Sequence, residues 1–186
     1  MMTMEIMQGQ KAPLFAMEDV FGNTINLRDY AGHRVMLSFY RFSSCPFCNL
    51  RIQKILGQFR KFEENDLKMI SFWQSPRASI LEHVGHQQPP FPLIPDPDKQ
   101  IYRLYHVENS WLGALKAMGE PGLMMKALKG GFNPAKADGD MNQLPADFLI
   151  APDLTIQQAY YGKHIGDHID FTEIERFLGI PASERS

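Results

Sequence analysis

Arg34-Val35-Met36-Leu37-Ser38-Phe39-Tyr40-Arg41-Phe42-Ser43-Ser44-Cys45-Pro46-Phe47-Cys48-Asn49 runs from an apolar stretch through a Cys-x-x-Cys into a segment with helical spacing. Arg34 to Tyr40 is apolar enough for a strand covered on both faces, which predicts a central position in a sheet. Past the cysteines, Ile52, Ile55, Leu56, Phe59 and Phe62 recur at helical spacing, with Arg51, Lys54, Gln58, Arg60 and Lys61 on the other face. That pattern predicts a long amphipathic helix. Pro46 suits its first position, where a missing N–H costs nothing and a fixed φ starts the helix, so Cys45 is expected at the N-cap.

The free N–H groups of the first turn and the positive end of the helix dipole favour a thiolate at Cys45 over a thiol. Cys45 is therefore the candidate nucleophile, exposed at the helix tip. Cys48, one turn further in and facing the sheet, is the candidate resolving thiol; residues three apart share a helix face, so the two sulfurs can close and open as a disulfide. Phe47 between them is expected to be an exposed apolar residue that a partner could cover. Two inert core cysteines would not need this strand-turn-helix placement, and a structural zinc would need a second cysteine pair that the chain lacks. No metal and no cofactor is expected.

Working outward, Ala12 to Met17 and Thr24 to Leu27 flank the turn Phe21-Gly22-Asn23 as an N-terminal β-hairpin. Leu67 to Trp73 reads as a second buried strand, with Trp73 in the core and its indole N–H near the rim of the cysteine side. Ser75-Pro76 supplies an N-cap and a first-turn proline for a helix through Ile80, Leu81 and Val84. Pro89 to Asp96 is a loop with one short extended piece, Asp98 to Tyr105 a short helix, and Asp96 and Asp98 a turn and helix cap around Pro97. Residues 108–143 carry Gly119, Gly122, Gly130, Gly131 and Gly139 among Met118, Met124, Met125 and Met141 and are expected to be an insert. Ala146 to Ala151 and Thr155 to Tyr161 form a last hairpin around Pro152-Asp153, and a helix follows from about Phe171 to Leu178. The order predicts an α/β fold: one domain over 1–186, a central mixed β-sheet flanked by helices, an N-terminal β-hairpin and an insert before the last hairpin.

A formal net charge of -2, with no block of Lys or Arg, argues against nucleic acid as a partner. No run of about 18 apolar residues is present, so no membrane span is expected, and the chain is read as cytoplasmic. A reducing compartment favours transient, catalytic use of two cysteines.

Several stretches resemble the peroxiredoxin-like branch of the thioredoxin-fold superfamily, the alkyl hydroperoxide reductase and thiol-specific antioxidant family. They are Gly9 to Phe15, Phe21 to Leu27 with Asp29-Tyr30-Ala31-Gly32, Leu37 to Arg41 leading into Cys45-Pro46-Phe47-Cys48, Phe91 to Asp96, and Leu144 to Ile150. The resemblance implies a thioredoxin-like fold, an antioxidant oxidoreductase and a cis proline, matched here by Pro145, that faces the cysteines. It also implies a substrate segment paired with the backbone of Leu144, so Pro46, Phe47, Leu144 and Pro145 are the expected substrate-binding residues. The family's Pro-x-x-x-Thr-x-x-Cys is not met: Ser38 and Phe42 stand where its proline and threonine belong, Ser44 stands where many relatives have tryptophan, and no arginine stands near Pro145.

Without a hydroxyl and a guanidinium to polarise an O–O bond, peroxide reduction should be poorly stabilised. Arg41 and Arg51 are the candidates to substitute for that guanidinium, but for each the favoured reading is a solvated charge near a helix start. Thiol-disulfide exchange on protein or small-molecule disulfides, reset by a thiol reductant, therefore ranks first. Reduction of a hydroperoxide through a Cys45 sulfenic acid ranks second, and a redox-responsive binding protein third. His164 and His168 are read as parts of a polar loop capped by Asp170. The insert is left as a cover for apolar surface, a client site or a homodimer contact.

Overall fold

The computed structural model describes residues 5–107 and 137–185, with the helical positions Met125 and Lys129 between them. The expected insert, 108–143, thus lies outside the described residues except at those two positions and at 137–143.

The elements are β1 (Ala16–Glu18), β2 (Thr24–Asn26), β3 (Arg34–Phe39), α1 (Pro46–Glu64), β4 (Leu67–Trp73), α2 (Arg77–Glu82), β5 (Leu93–Pro95), α3 (Gln100–Leu104), β6 (Ala146–Ile150), β7 (Ile156–Tyr161) and α4 (Phe171–Phe177). β1 and β2 pair as a separate antiparallel hairpin, and the main sheet has the order β5-β4-β3-β6-β7. β3, β4 and β5 are parallel, whereas β6 runs antiparallel to β3 and β7 antiparallel to β6. The sheet is therefore mixed, with β3 at its centre as the apolar run predicts.

Strand side chains alternate between faces, and here the alternation sorts the chemistry. Val35, Leu37 and Phe39 pack on one face with Phe72, Phe148, Tyr102 and Tyr105, under α3 and the N-terminal hairpin. Met36 and Tyr40 point to the other face, where Trp73, Leu149, Ile52, Ile55 and Ile174 surround Cys45 and Cys48 under α1, α2 and α4. Phe39 stacks on Phe72 at 4.8 Å on the first side, and Tyr40 stacks on Trp73 at 4.5 Å on the second. Ser38 belongs to the cysteine side and sits opposite Asp147 of β6.

Some boundaries differ from the sequence reading. α2 begins at Arg77 with Pro76 at its N-cap, because the Ser75 hydroxyl is used elsewhere: it accepts the Ser43 N–H at 2.7 Å and donates to Asp138 at 2.5 Å. α3 is shorter than expected, and its free N–H groups are satisfied by Asp96, which accepts from Gln100 and Ile101 at 2.8 Å each. α4 starts as predicted, with Asp170 accepting the Thr172 N–H at 2.8 Å. Trp73 is core, but its indole N–H donates to Ser71 Oγ at 3.0 Å in the interior and does not reach the rim. Among the described residues, no helix is long and apolar enough to cross a membrane.

Candidate active site

Cys45 is the N-cap of α1 and Pro46 its first residue, as the motif requires. The cap is tied down from both sides: the Cys45 N–H donates to Phe42 O at 3.0 Å, and its carbonyl accepts the Asn49 N–H at 3.0 Å and the Asn49 amide at 2.9 Å. The Cys45 sulfur is not exposed, which corrects the expectation. Cys45 and Cys48 are 0% and 1% exposed. The reason lies two residues beyond β3: Arg41, itself only 3% exposed, lies against the sulfur. Its Nη1 donates to Cys45 Sγ at 3.3 Å, and its Nη2 donates to the Met141 carbonyl.

Arg41 is thus not a solvated charge: a guanidinium lies beside the sulfur, brought by the end of β3 and not by the late strand. A cation this deeply buried needs an anionic partner to offset its desolvation. The Cys45 thiolate is that partner.

Burial is the largest influence on Cys45 and pushes its pKa up. It is outweighed by the Cys48 thiol, which donates to the sulfur, by the Arg41 charge, and by the Cys48 and Phe47 N–H groups. These N–H groups present their positive ends to the sulfur without closing a geometric capping bond. The net result is a pKa lowered from 9.0 to about 6. Cys48 moves the opposite way: burial raises its pKa, and so does serving as hydrogen-bond donor to the neighbouring thiolate. One sulfur of the pair is therefore ionised at neutral pH and the other carries the proton. Both thiols are free.

Three further polar features surround the pair. Ser44 Oγ and Arg41 Nε are buried without a partner among the described residues, next to the sulfur in sequence and in space respectively. Behind α1, the buried Asp147 accepts from Ser38 Oγ at 2.7 Å and from Ile169 N–H at 2.9 Å, and pairs with His168 Nδ1 at 3.0 Å. Burial pushes the Asp147 carboxyl up, but the His168 charge and hydrogen bond, the Arg51 charge and the Ile169 N–H hold it below its ordinary value. His168 is therefore no member of a polar surface loop: its side chain is 3% exposed. His164 does stay on the exposed loop.

The expected substrate-binding residues divide. Phe47 is half-buried, not exposed, and its ring lies 3.8 Å from the position a Cβ on Gly166 would take. Phe47 lines one cavity, while Leu144 and Pro145 line another with Tyr160, Tyr161 and Gly162. No cis peptide bond occurs among the described residues, so the Leu144-Pro145 bond is trans, against expectation. Pro145 instead closes the β6 side of the sheet, its carbonyl accepting the Gly162 N–H at 2.9 Å. Among the described residues, no three His, Cys, Asp or Glu side chains are grouped so as to hold a metal ion.

A profile described as the AhpC/TSA family matches residues 8–159. A Mycobacterium tuberculosis protein carrying the provisional name peroxiredoxin Rv2521 is 28% identical over 128 residues, covering 69% of this chain and 75% of that one. The thiol-disulfide oxidoreductase ResA of Bacillus subtilis is 25% identical over 103 residues, covering 55% of this chain and 57% of ResA. Among solved structures, peroxidoxin BcpB of M. tuberculosis superposes with a TM-score of 0.66 at 16% identity, covering 96% of this chain and 98% of that one. At that identity the likeness is one of fold.

Proposed function

The chain belongs to the AhpC/TSA family, a peroxiredoxin-like oxidoreductase of thioredoxin fold, and on that premise we propose that it is a thiol peroxidase with Cys45 as peroxidatic and Cys48 as resolving cysteine. The observation that carries this reading is the Arg41 guanidinium against Cys45 Sγ at 3.3 Å. It holds the sulfur as thiolate, and the same charge stabilises negative charge as it develops on the peroxide oxygens. Ser44 Oγ and Arg41 Nε, buried and unpartnered among the described residues, are donors for those oxygens, in place of the threonine that Phe42 displaces.

The Cys45 thiolate attacks the distal oxygen of a hydroperoxide, ROOH; the O–O bond breaks, the alkoxide leaves and takes a proton as ROH, and Cys45 becomes a sulfenic acid. Cys48 then attacks the Cys45 sulfur, a disulfide forms and water leaves. Two equivalents of a thiol reductant restore the pair, and no cofactor takes part. The sealed position of Cys45 favours a small substrate over a folded protein disulfide, which reverses the ranking drawn from sequence. Thiol-disulfide exchange is kept as a second reading, because Cys48 lies one turn behind Cys45 and donates to its sulfur.

The test is peroxide consumption by the wild type, Cys45→Ser and Cys48→Ser with thiol counting. The wild type should lose two thiols per peroxide. Cys48→Ser should react once and hold a sulfenic acid that dimedone traps, and Cys45→Ser should be inert. Peroxide consumption by Cys45→Ser at the wild-type rate would overturn the assignment.

A further inference from the structure

A cavity of about 310 Å³ opens beside the cysteine motif, between one face of α1 and the loop leading into α4. Phe47, Leu50, Arg51 and Lys54 form its helical wall, and His164 and Phe171 stand opposite. These helical positions are spaced i, i+3, i+4, i+7 and so share one face. The wall joins apolar surface to positive charge. Leu50 is 48% exposed, and Lys54 is exposed.

The lining carries more basic than acidic side chains, although Arg51 also faces the buried Asp147 behind it. The one carboxylate among the lining residues is Asp170, and that group is already engaged by the Thr172 N–H at 2.8 Å and hydroxyl at 2.6 Å. Arg51 is fixed in place: Nη2 donates to the Ile169 carbonyl at 2.7 Å and the guanidinium lies 4.3 Å over the Phe171 ring. Its Nε is buried with no partner among the described residues, and so is His168 Nε2, on a side chain that is 3% exposed and lines the same cavity. The orphaned Arg51 Nε and the exposed Lys54 are donors at one cavity that lack an acceptor among the described residues. Arg41, which serves the peroxide, is held by other residues, so the two features are separate.

We infer that this cavity receives the carboxylate of a small anionic thiol, the reductant that reopens the Cys45–Cys48 disulfide; the inference rests on the redox reading given under the proposed function. The volume is at the small end of ligand sites, which suits a thiol of a few carbons or part of a short acidic peptide. The thiolate attacks Cys45 Sγ, the protein S–S bond breaks, and Cys48 leaves as a thiolate and takes a proton. A second thiolate attacks the reductant's own sulfur in the mixed disulfide, releasing the Cys45 thiolate and a symmetrical disulfide. Two small thiols are oxidised and one protein disulfide is reduced. Arg51 and Lys54 raise the local concentration of the anionic thiol at the first turn of α1.

The experiment uses full-length protein oxidised with diamide, so that it does not depend on the peroxide step. Reduction is followed by tryptophan fluorescence with mercaptosuccinate and with 2-mercaptoethanol, each rate being divided by the thiolate concentration. The wild type should favour mercaptosuccinate at low ionic strength and lose that preference in ~0.5 M salt, where exposed charges are screened. Lys54→Gln should lower the mercaptosuccinate to 2-mercaptoethanol rate ratio by about 2-fold and Lys54→Glu by about 5-fold, as expected for neutralising and then reversing a charge close to the ligand. An unchanged ratio in both variants would overturn the inference and leave the peroxidase reading standing. Failure of any thiol to reduce the diamide-treated protein, with no Cys45–Cys48 disulfide detected, would instead remove the redox reading itself.

Discussion

Replacing Arg41 with methionine keeps much of the buried volume and removes the charge beside Cys45. Two unit charges about 4 Å apart interact by roughly 4 kcal/mol at an effective dielectric constant near 20, and opposite charges at this range commonly lower a pKa by about 1 to 3. Taking the lower half of that range, Arg41→Met raises the Cys45 pKa from about 6 to roughly 7.5. At pH 7 the thiolate fraction then falls from ~90% to ~25%, which alone slows peroxide reduction about fourfold. Loss of a donor aimed at the developing charge removes a further ~10²-fold.

The two parts separate experimentally. Thiolate absorbance near 240 nm against pH reads ionisation alone, and its first step belongs to Cys45 because burial and the neighbouring thiolate push Cys48 well above its ordinary value. Peroxide kinetics read both effects. A folded Arg41→Met protein whose first step stays at about 6 would refute the account of the site. The same linkage acts on stability: the Cys45 pKa is lowered by folding, so its contribution is complete above the unfolded thiol value of ~8.5 and is lost as pH falls through the folded value. Arg41→Met should flatten that dependence in urea titrations of the reduced protein.

Asp147→Ala leaves Ser38, His168 and the Ile169 N–H without their common acceptor, a loss of about 3 to 5 kcal/mol by analogy with other broken buried pairs. Because folding lowers the Asp147 pKa, the wild-type contribution is present above the ordinary carboxylate value and disappears as pH falls through the lowered one; the gap between wild type and Asp147→Asn in urea midpoint should therefore be wide at pH 7 and narrow towards pH 2. Equal gaps at both ends would count against the ion pair. Gly162→Ala places a methyl group 2.9 Å from both Pro145 Cγ and Pro145 O and against the Asp167 carbonyl. Such overpacking costs about 2 kcal/mol and should lower Tm by roughly 4 to 8 °C, read by thermal unfolding.

Much of the architecture was legible because its signals are local. A continuous apolar run in β3, a Pro at N1 and an Asp170 at an N-cap act through neighbours in the chain, and each appears where the pattern places it. The resemblance to peroxiredoxins was legible for the same reason, since it resides in short continuous motifs. Boundaries failed where a side chain was recruited from a distance, as when Ser75 left its cap for Ser43 and Asp138. His168 was misread because nothing near it in sequence announces Asp147, which reaches it only across the β6 face.

The chain itself determined a thiol pair at the mouth of a helix, since strand, turn, proline and helix period are all written in consecutive residues. Tertiary packing alone decided how that pair is tuned. Arg41 is bound between Cys45 and a carbonyl 100 residues further on, and Ser38 meets its carboxylate across a separation of 109. Contacts of that length depend on how strands align in the sheet, and the electrostatics of a buried sulfur depend on those contacts more than on its own neighbours in sequence.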